Sequence, residues 1–429
     1  MILTVVSFIL VLSFLVFVHE LGHYLAARHV GVRVERFSIG FPPRLWGKQI
    51  GETEYMLSWI PLGGYVKLFG QNLDDEDPSD PRNYAAKSKW QRFYILAAGP
   101  VMNLVVAFLL MPPVFMLGVE SPRYRLEPAI LAGVAPGSAA EKAGFLPGDR
   151  IARVGDTATP NWVAVDRAIG DQGMAGGELR LGVRRGAETV ELSASALAFV
   201  AKEPFGWKPL MEPVVGSFSS RSPAKAAGLE SGDRILAING RPVTQWDQMP
   251  VEIQKSEGKP LAFDVERAGK RVSLAITPSH QNSTWVIGIS PGTYRERYGF
   301  VDSVVLGSTR LWNISGATFS FLGQLVVGKG SMDALGGPVK IGVVIGEAVR
   351  TGLDTVLFLM AVISLQLGIF NLLPVPVLDG GHIFLLGIEG VTGRPLSLKV
   401  RERAQMVGFS LLILLILFVT YNDVLQLIS

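Results

Sequence analysis

The sequence contains no cysteine in its 429 residues, which excludes disulfides, thiolate metal ligands and a cysteine nucleophile. Histidine is scarce as well, with His19, His23, His29, His280 and His382 making up the whole set, so any metal must be held by a short list of imidazoles and by carboxylates. Charge is sparse and balanced: 18% of residues are charged, the net charge is +3 and no Lys- or Arg-rich run recurs, which excludes nucleic acid as a favoured partner. Apolar runs are not lacking. With 48% hydrophobic residues and a mean hydropathy of +0.34, the chain is too apolar to be wholly soluble and too long for one domain. It reads as part membrane protein and part globular protein.

The most informative stretch is Phe17-Val18-His19-Glu20-Leu21-Gly22-His23, which ends a run of Ile, Leu, Val and Phe long enough to cross a bilayer. Ionisable groups at that depth are costly and, by default, functional. On a helix His19 and His23 lie four apart on one face, where both can reach one zinc ion, while the adjacent Glu20 is placed as general base for an attacking water. His-Glu-x-x-His also arises by chance in soluble proteins; the membrane setting favours the metal. No basic stretch precedes the apolar run and no small-residue cleavage site ends it, so it is expected to be a membrane helix and not a removed signal peptide.

Further along, residues 32–70 are rich in β-formers broken by Pro42-Pro43 and closing on Pro61-Leu62-Gly63-Gly64, a pattern that predicts a hairpin or small sheet. Residues 74–82 are acidic and contain proline, as a solvated loop would. A Gly99-Pro100 turn is expected to open a second membrane helix that ends near residue 119. Residues 301–349 are apolar but interrupted by Arg310, Asn313, Lys329 and Asp333, the pattern of an amphipathic segment lying along the membrane surface. Residues 355–377 predict a third membrane helix, and residues 407–421 a fourth.

The globular part holds a repeat. Residues 134–156 align without gaps on residues 218–240 at a constant offset of 84, each copy carrying Ser, Ala, Ala-Gly and Gly-Asp-Arg-Ile at matching places. The pattern resembles PDZ domains, which bind chain ends by adding a strand to a sheet edge. The first copy departs further from it, with Val154-Gly155-Asp156 where the second has Ile238-Asn239-Gly240. The expected organisation is therefore a polytopic α-helical membrane protein with four transmembrane helices, a membrane-associated β-hairpin and two tandem PDZ-like α+β domains. Its divisions are residues 1–120 (first half of the membrane core), 121–206 and 207–292 (the two PDZ-like domains), 293–353 (the surface segment) and 354–429 (second half of the core).

Topology selects the third ligand. The loop 27–97 carries ten basic residues: Arg28, Arg33, Arg36, Arg44, Lys48, Lys67, Arg82, Lys87, Lys89 and Arg92. By the positive-inside rule it faces the cytoplasm, with both termini and the repeats on the far side. Helices one and three then run the same way, provided that residues 301–349 make no net crossing, and Asp379 reaches the depth of His19 and His23. Asp379 also sits beside Gly380-Gly381, which allow close backbone approach, so it is the expected third ligand, with water in the open position. His382 as the ligand and Asp379 as a helix cap are the competing readings. His29 beside Arg28 and His280 in a boundary loop are expected at the surface. The prolines Pro374 and Pro376 argue for an unwound, cavity-lining end to the third helix, where Asn371 and these prolines contact an unwound substrate strand and the hairpin can add to it.

Together, His19-Glu20-Leu21-Gly22-His23, the later Asn371-Leu-Leu-Pro374-Val-Pro376-Val-Leu-Asp379-Gly-Gly-His382 and the paired PDZ-like copies resemble the site-2 protease family over essentially the whole chain. The resemblance implies Zn2+ held by His19, His23 and Asp379, with Glu20 as base and Asn371 as a substrate contact. It implies a bacterial inner-membrane enzyme of regulated intramembrane proteolysis and the stress response. Its substrates would be single-span membrane proteins in the lipid bilayer: an anti-sigma factor already trimmed by a first protease, and remnant signal peptides. The PDZ-like domains would be a periplasmic size filter. The alternatives are a non-catalytic PDZ-containing membrane receptor or chaperone with a vestigial His-Glu motif, and a zinc transporter. An intact base counts against the first, and the lack of polar residues in the fourth helix against the second.

Overall fold

The computed structural model describes residues 2–71, 80–173, 177–200, 205–219, 221–281, 284–328, 336–394 and 396–428. Most of the acidic loop 74–82, together with Lys329 and Asp333, lies outside them. The chain divides into two units, residues 1–119 with 297–429, and residues 120–296.

Among its described residues the first unit contains four helices long and apolar enough to cross a membrane, spanning Ile2–His29, Lys89–Leu117, Leu353–Asn371 and Glu402–Leu425. The first two are here called α1 and α2. The α2 helix begins ten residues before the Gly99-Pro100 pair that was expected to open it. Ser88 caps it through a reciprocal capping box with Gln91, and Pro100 lies inside it. Proline forfeits one backbone hydrogen bond there, which neighbouring helices compensate in a membrane bundle. Ala107, Met111 and Val114 of α2 form one core with Leu311, Ala361, Leu365 and Ile369. The third spanning helix stops at Asn371, and a turn through the two prolines leads to a new helix starting at Asp379.

The segment 293–353 departs from a helix lying flat on a surface. Within the Phe300–Val326 helix, the Arg310 guanidinium lies 5.8 Å from the Phe358 ring centre. Further along both helices, Gln366 Nε2 donates to Thr318 Oγ1 at 2.9 Å. Both contacts advance together, so this helix runs alongside Leu353–Asn371 in the same direction. The next helix, Pro338–Thr351, runs back along α1: a Cβ added at Gly342 would meet Phe8, and one at Gly346 would meet Thr4. The two helices thus run in opposite directions, one packed along Leu353–Asn371 and the other along α1. Of the segment's polar interruptions, Arg310 has a partner on a neighbouring helix that no local pattern reveals.

Strands β1 (Val34–Ile50) and β2 (Thr53–Leu68) form the hairpin, strongly bulged. Its two ends fold over one another: residues 34–39 pair with 64–68, while residues 44–50 pair with 53–58. Ala26, Ala27, Val32, Val34, Leu68 and Ile95 bury its base against α1 and α2. The stretch 64–68 is an edge, with no further strand on its other side among the described residues.

The second unit holds two copies of one α+β arrangement. Each has a four-stranded sheet of the same order, 157–158, 150–154, 178–185, 188–195 in one and 241–242, 234–238, 261–267, 270–276 in the other. Each has a one-turn helix capped by the repeated serine, Ser138 or Ser222. Strand Trp207–Pro209 pairs with Leu131–Val134, so the first copy extends past residue 206, where the boundary was expected. Strand Thr293–Glu296 pairs with Val119–Pro122, which carries the unit past residue 292 as well. Pattern alone cannot place such closing strands, because their partners lie more than seventy residues away.

The repeated Gly-Asp-Arg-Ile has one physical task in both copies. Asp149 and Asp233 are buried, and each takes two hydrogen bonds from one arginine, Arg185 at 2.8 and 2.8 Å and Arg267 at 2.8 and 2.7 Å. Burial by itself raises the Asp233 carboxyl, but the Arg267 bonds and the Glu230 amide outweigh it and hold it below the ordinary carboxylate value. Its stabilisation is present above the unfolded value of about 3.9 and is lost as pH falls through the lower folded value. Asp233→Asn is expected to cost the second copy roughly 3 kcal/mol, read as faster amide hydrogen exchange over residues 215–276 at pH 7. Corrected for intrinsic exchange, protection in the variant should fall less than in wild type as pH drops below the unfolded carboxylate value of about 3.9.

Candidate metal centre

The α1 helix positions His19, Glu20 and His23 by spacing alone, and α2 fixes how the imidazoles face. Gly22 makes this possible: a Cβ there would come within 2.3 Å of the Ala98 carbonyl oxygen, so the two helices touch backbone to backbone. Opposite it, a Cβ at Gly99 would lie 2.2 Å from His23 Nε2. His23 Nδ1 is 2.8 Å from the Ile95 carbonyl oxygen, and since a carbonyl only accepts, this nitrogen donates. Its Nε2 lone pair is thereby left for another use. His19 Nδ1 is turned toward the Asn103 amide, 3.2 Å away.

Three atoms converge. Asp379 Oδ2 is 3.0 Å from His19 Nε2 and 3.4 Å from His23 Nε2, and the two nitrogens are 3.3 Å apart. Ligands about 2.0–2.1 Å from a tetrahedral zinc ion stand roughly 3.3 Å from one another, so the observed spacings suit that ion. Two imidazoles whose other nitrogens are engaged, beside a buried carboxylate oxygen within 3.4 Å of both, are chemically a metal-ligand set. Among the described residues no other group of three or more His, Asp or Glu is so placed. His382 is not part of it. Asp379 is the first residue of its helix, and the cap position before it is occupied by Leu378, so a capping role does not account for Asp379.

A cavity of about 660 Å³ opens on the cluster and is lined also by Glu20, Asn371 and residues 63–66 of β2. The Val66 backbone N–H donates to the Glu20 carboxylate, and Gly64 lies against the Glu20 side chain. The edge strand of the hairpin thus forms one wall of the cavity and orients the carboxylate beside the metal-ligand set. Pro374 and Pro376 do not line this cavity, contrary to the expectation of substrate contact. Pro376 packs on the Leu398–Ile428 helix at Gly408, and the turn it shapes brings Val375 and Pro376 backbone against Gly381. The prolines set where Asp379 begins its helix, while Val377 and Leu378 face the cavity.

Sequence reasoning missed α2 as the support of the site. Gly99 and Asn103, four apart in an otherwise apolar run, were the available signal: a glycine and a primary amide on one helix face at membrane depth have a packing or polar task.

Four membrane-length helices around a His-His-Asp cluster with an adjacent carboxylate define an intramembrane metallopeptidase. The family model described as Peptidase family M50 matches residues 7–415, and the chain belongs to that family of site-2 proteases. It is a multi-pass membrane protein and a zinc metalloprotease that acts within the membrane. It is similar to "Regulator of sigma-E protease RseP" of Salmonella typhimurium (strain 14028s / SGSC 2262), 35% identical over 444 residues and covering 97% of each chain. It is equally similar, 35% over 448 residues and 97% of each chain, to the protein of that name from Escherichia coli (strain K12). A "Putative zinc metalloprotease" of Vibrio cholerae is 34% identical over 452 residues, again 97% of each. Among solved structures the chain is similar to the PDZ domain of an SdrC-like protein of Listeria monocytogenes, 23% identical with a TM-score of 0.17, covering 18% of this chain and 84% of that one.

Proposed function

We propose that zinc is held by His19, His23 and Asp379, that Glu20 is the general base, and that the enzyme cuts transmembrane segments of single-span proteins in a bacterial inner membrane. The observation that carries this reading is the single cavity shared by the three donors, the Glu20 carboxylate and an unpaired sheet edge. When bound, zinc supplies Lewis acidity that lowers the pKa of water and polarises a carbonyl. Glu20, oriented by the Val66 amide, takes the proton of the attacking water and returns it to the leaving amine. The substrate enters as an extended strand, because a helical peptide bond hides its carbonyl. Residues 64–68 offer it backbone pairing, and Asn371 a side-chain hydrogen bond.

Both termini and the unit 120–296 are assigned to the periplasm, and the site to the cytoplasmic half of the membrane, from the ten basic residues of loop 27–97. The two α+β copies are read as tandem PDZ domains that filter substrates by size. The names of two relatives print regulation of sigma-E. The substrates in this reading are an anti-sigma factor already trimmed by another protease and, as a second class, remnant signal peptides.

Two outcomes test this. Asn371→Ala is expected to slow cleavage of a membrane-embedded substrate roughly tenfold with zinc content unchanged; loss of zinc would remove Asn371 from the substrate role. A single-span substrate shortened on its periplasmic side should be cut, while the same substrate with its folded periplasmic domain should not. Equal cleavage of both would remove the filter.

A further inference from the structure

We propose that Asn103 is a positioning residue of the metal centre, its side-chain oxygen accepting a hydrogen bond from His19 Nδ1–H and so directing the His19 Nε2 lone pair to the metal. The proposal rests on the zinc assignment above and adds a residue on a different helix. Asn103 is fully buried in α2, and its amide nitrogen lies 3.2 Å from His19 Nδ1. Its oxygen Oδ1, also buried, has no hydrogen-bond partner among the described residues. Which end of the amide faces His19 is decided by what the imidazole needs, not by the count of satisfied atoms, which is the same either way. Amide oxygen and nitrogen are nearly isosteric, so a half-turn of the side chain puts Oδ1 on Nδ1.

The two orientations have opposite consequences. With Nδ2 toward the ring, Nδ1 must accept, the proton sits on Nε2, and His19 can only hydrogen-bond Asp379 Oδ2, 3.0 Å away. With Oδ1 toward the ring, Nδ1 donates and Nε2 presents its lone pair where Asp379 and His23 present theirs. His23 already follows the second pattern, its Nδ1 donating to the Ile95 carbonyl. Ile95 and Asn103 thus serve the two ligands from one helix, one by backbone and one by side chain. The Asn103 backbone is anchored as well, its carbonyl accepting from the buried Ser364 hydroxyl at 2.8 Å, so the amide sits between two spanning helices.

The test is zinc affinity of the full-length protein in detergent, by competition with a chromophoric chelator, for wild type, Asn103→Leu and Asn103→Asp. Leucine keeps the volume and removes the acceptor; aspartate keeps an acceptor and has no donor. The leucine variant is expected to bind zinc 10- to 100-fold more weakly, on the order found for lost partners of metal-bound histidines, and the aspartate variant within a few-fold of wild type. Wild-type affinity in the leucine variant, or equal losses in both, would overturn the proposal and leave Asn103 a packing residue. The ring 15N shifts of His19 in the zinc-loaded wild type decide the point without any variant: a protonated Nδ1 agrees, and a protonated Nε2 overturns it. Failure of the zinc assignment itself is recognised separately, as His19→Ala binding zinc like wild type.

Discussion

Glu20→Gln is expected to reduce peptide-bond cleavage by about 10²- to 10⁴-fold while the protein keeps its zinc. Glutamine has the shape of glutamate and can still pair with the Val66 amide, but it has no basic oxygen to take a proton. Glu20 is also not one of the three converging donors, so its loss does not open the ligand set. Zinc analysis beside cleavage of a transmembrane substrate separates the two effects. Parallel loss of zinc and activity would make Glu20 a ligand or a structural group, and undiminished cleavage would place the base elsewhere.

Gly99→Ala is expected to weaken zinc binding by at least about 100-fold, comparable to or beyond the loss of a hydrogen-bond partner of a ligand. The new methyl would lie 2.2 Å from His23 Nε2. The ring cannot simply swing aside, because its other nitrogen is bonded to the Ile95 carbonyl in the same helix. Alanine is a better helix former than glycine by about 1 kcal/mol, so α2 itself should gain and not lose stability. Zinc loss with an unchanged or raised unfolding temperature therefore points to His23 displacement. Wild-type zinc affinity in this variant would mean that the helices α1 and α2 do not meet at Gly22 and Gly99.

Much of the site was legible because its signals are local or arithmetic. His19 and His23 declare themselves by a spacing of four inside an apolar run. Asp379 follows from which side of the membrane each helix ends on, and the structure brings it within 3.4 Å of both imidazoles. The two α+β copies follow from a constant offset of 84. What escaped was held by contacts far apart in sequence. Pro100 reads as a helix opening because a helix interior rarely tolerates proline, and only a packed membrane bundle overrides that. Arg185 and Arg267, which clamp the repeated aspartates, lie outside the aligned stretches. The opposite courses of the helices 300–326 and 338–351 depend on Phe358, Gln366, Thr4 and Phe8. Pro374 and Pro376 looked like substrate contacts because they sit beside Asp379 in sequence, yet the cavity lining takes in Val377 and Leu378 and neither proline.

The central claim is the ligand set, and zinc content per chain after a brief chelator challenge tests it most directly, with wild type, Asp379→Ala and His382→Ala compared side by side. The wild-type and His382 proteins should keep about one zinc ion each, and the Asp379 variant should lose it. Zinc retained without Asp379, or lost with His382, would contradict the assignment and move the third ligand past Gly380-Gly381 along the same helix.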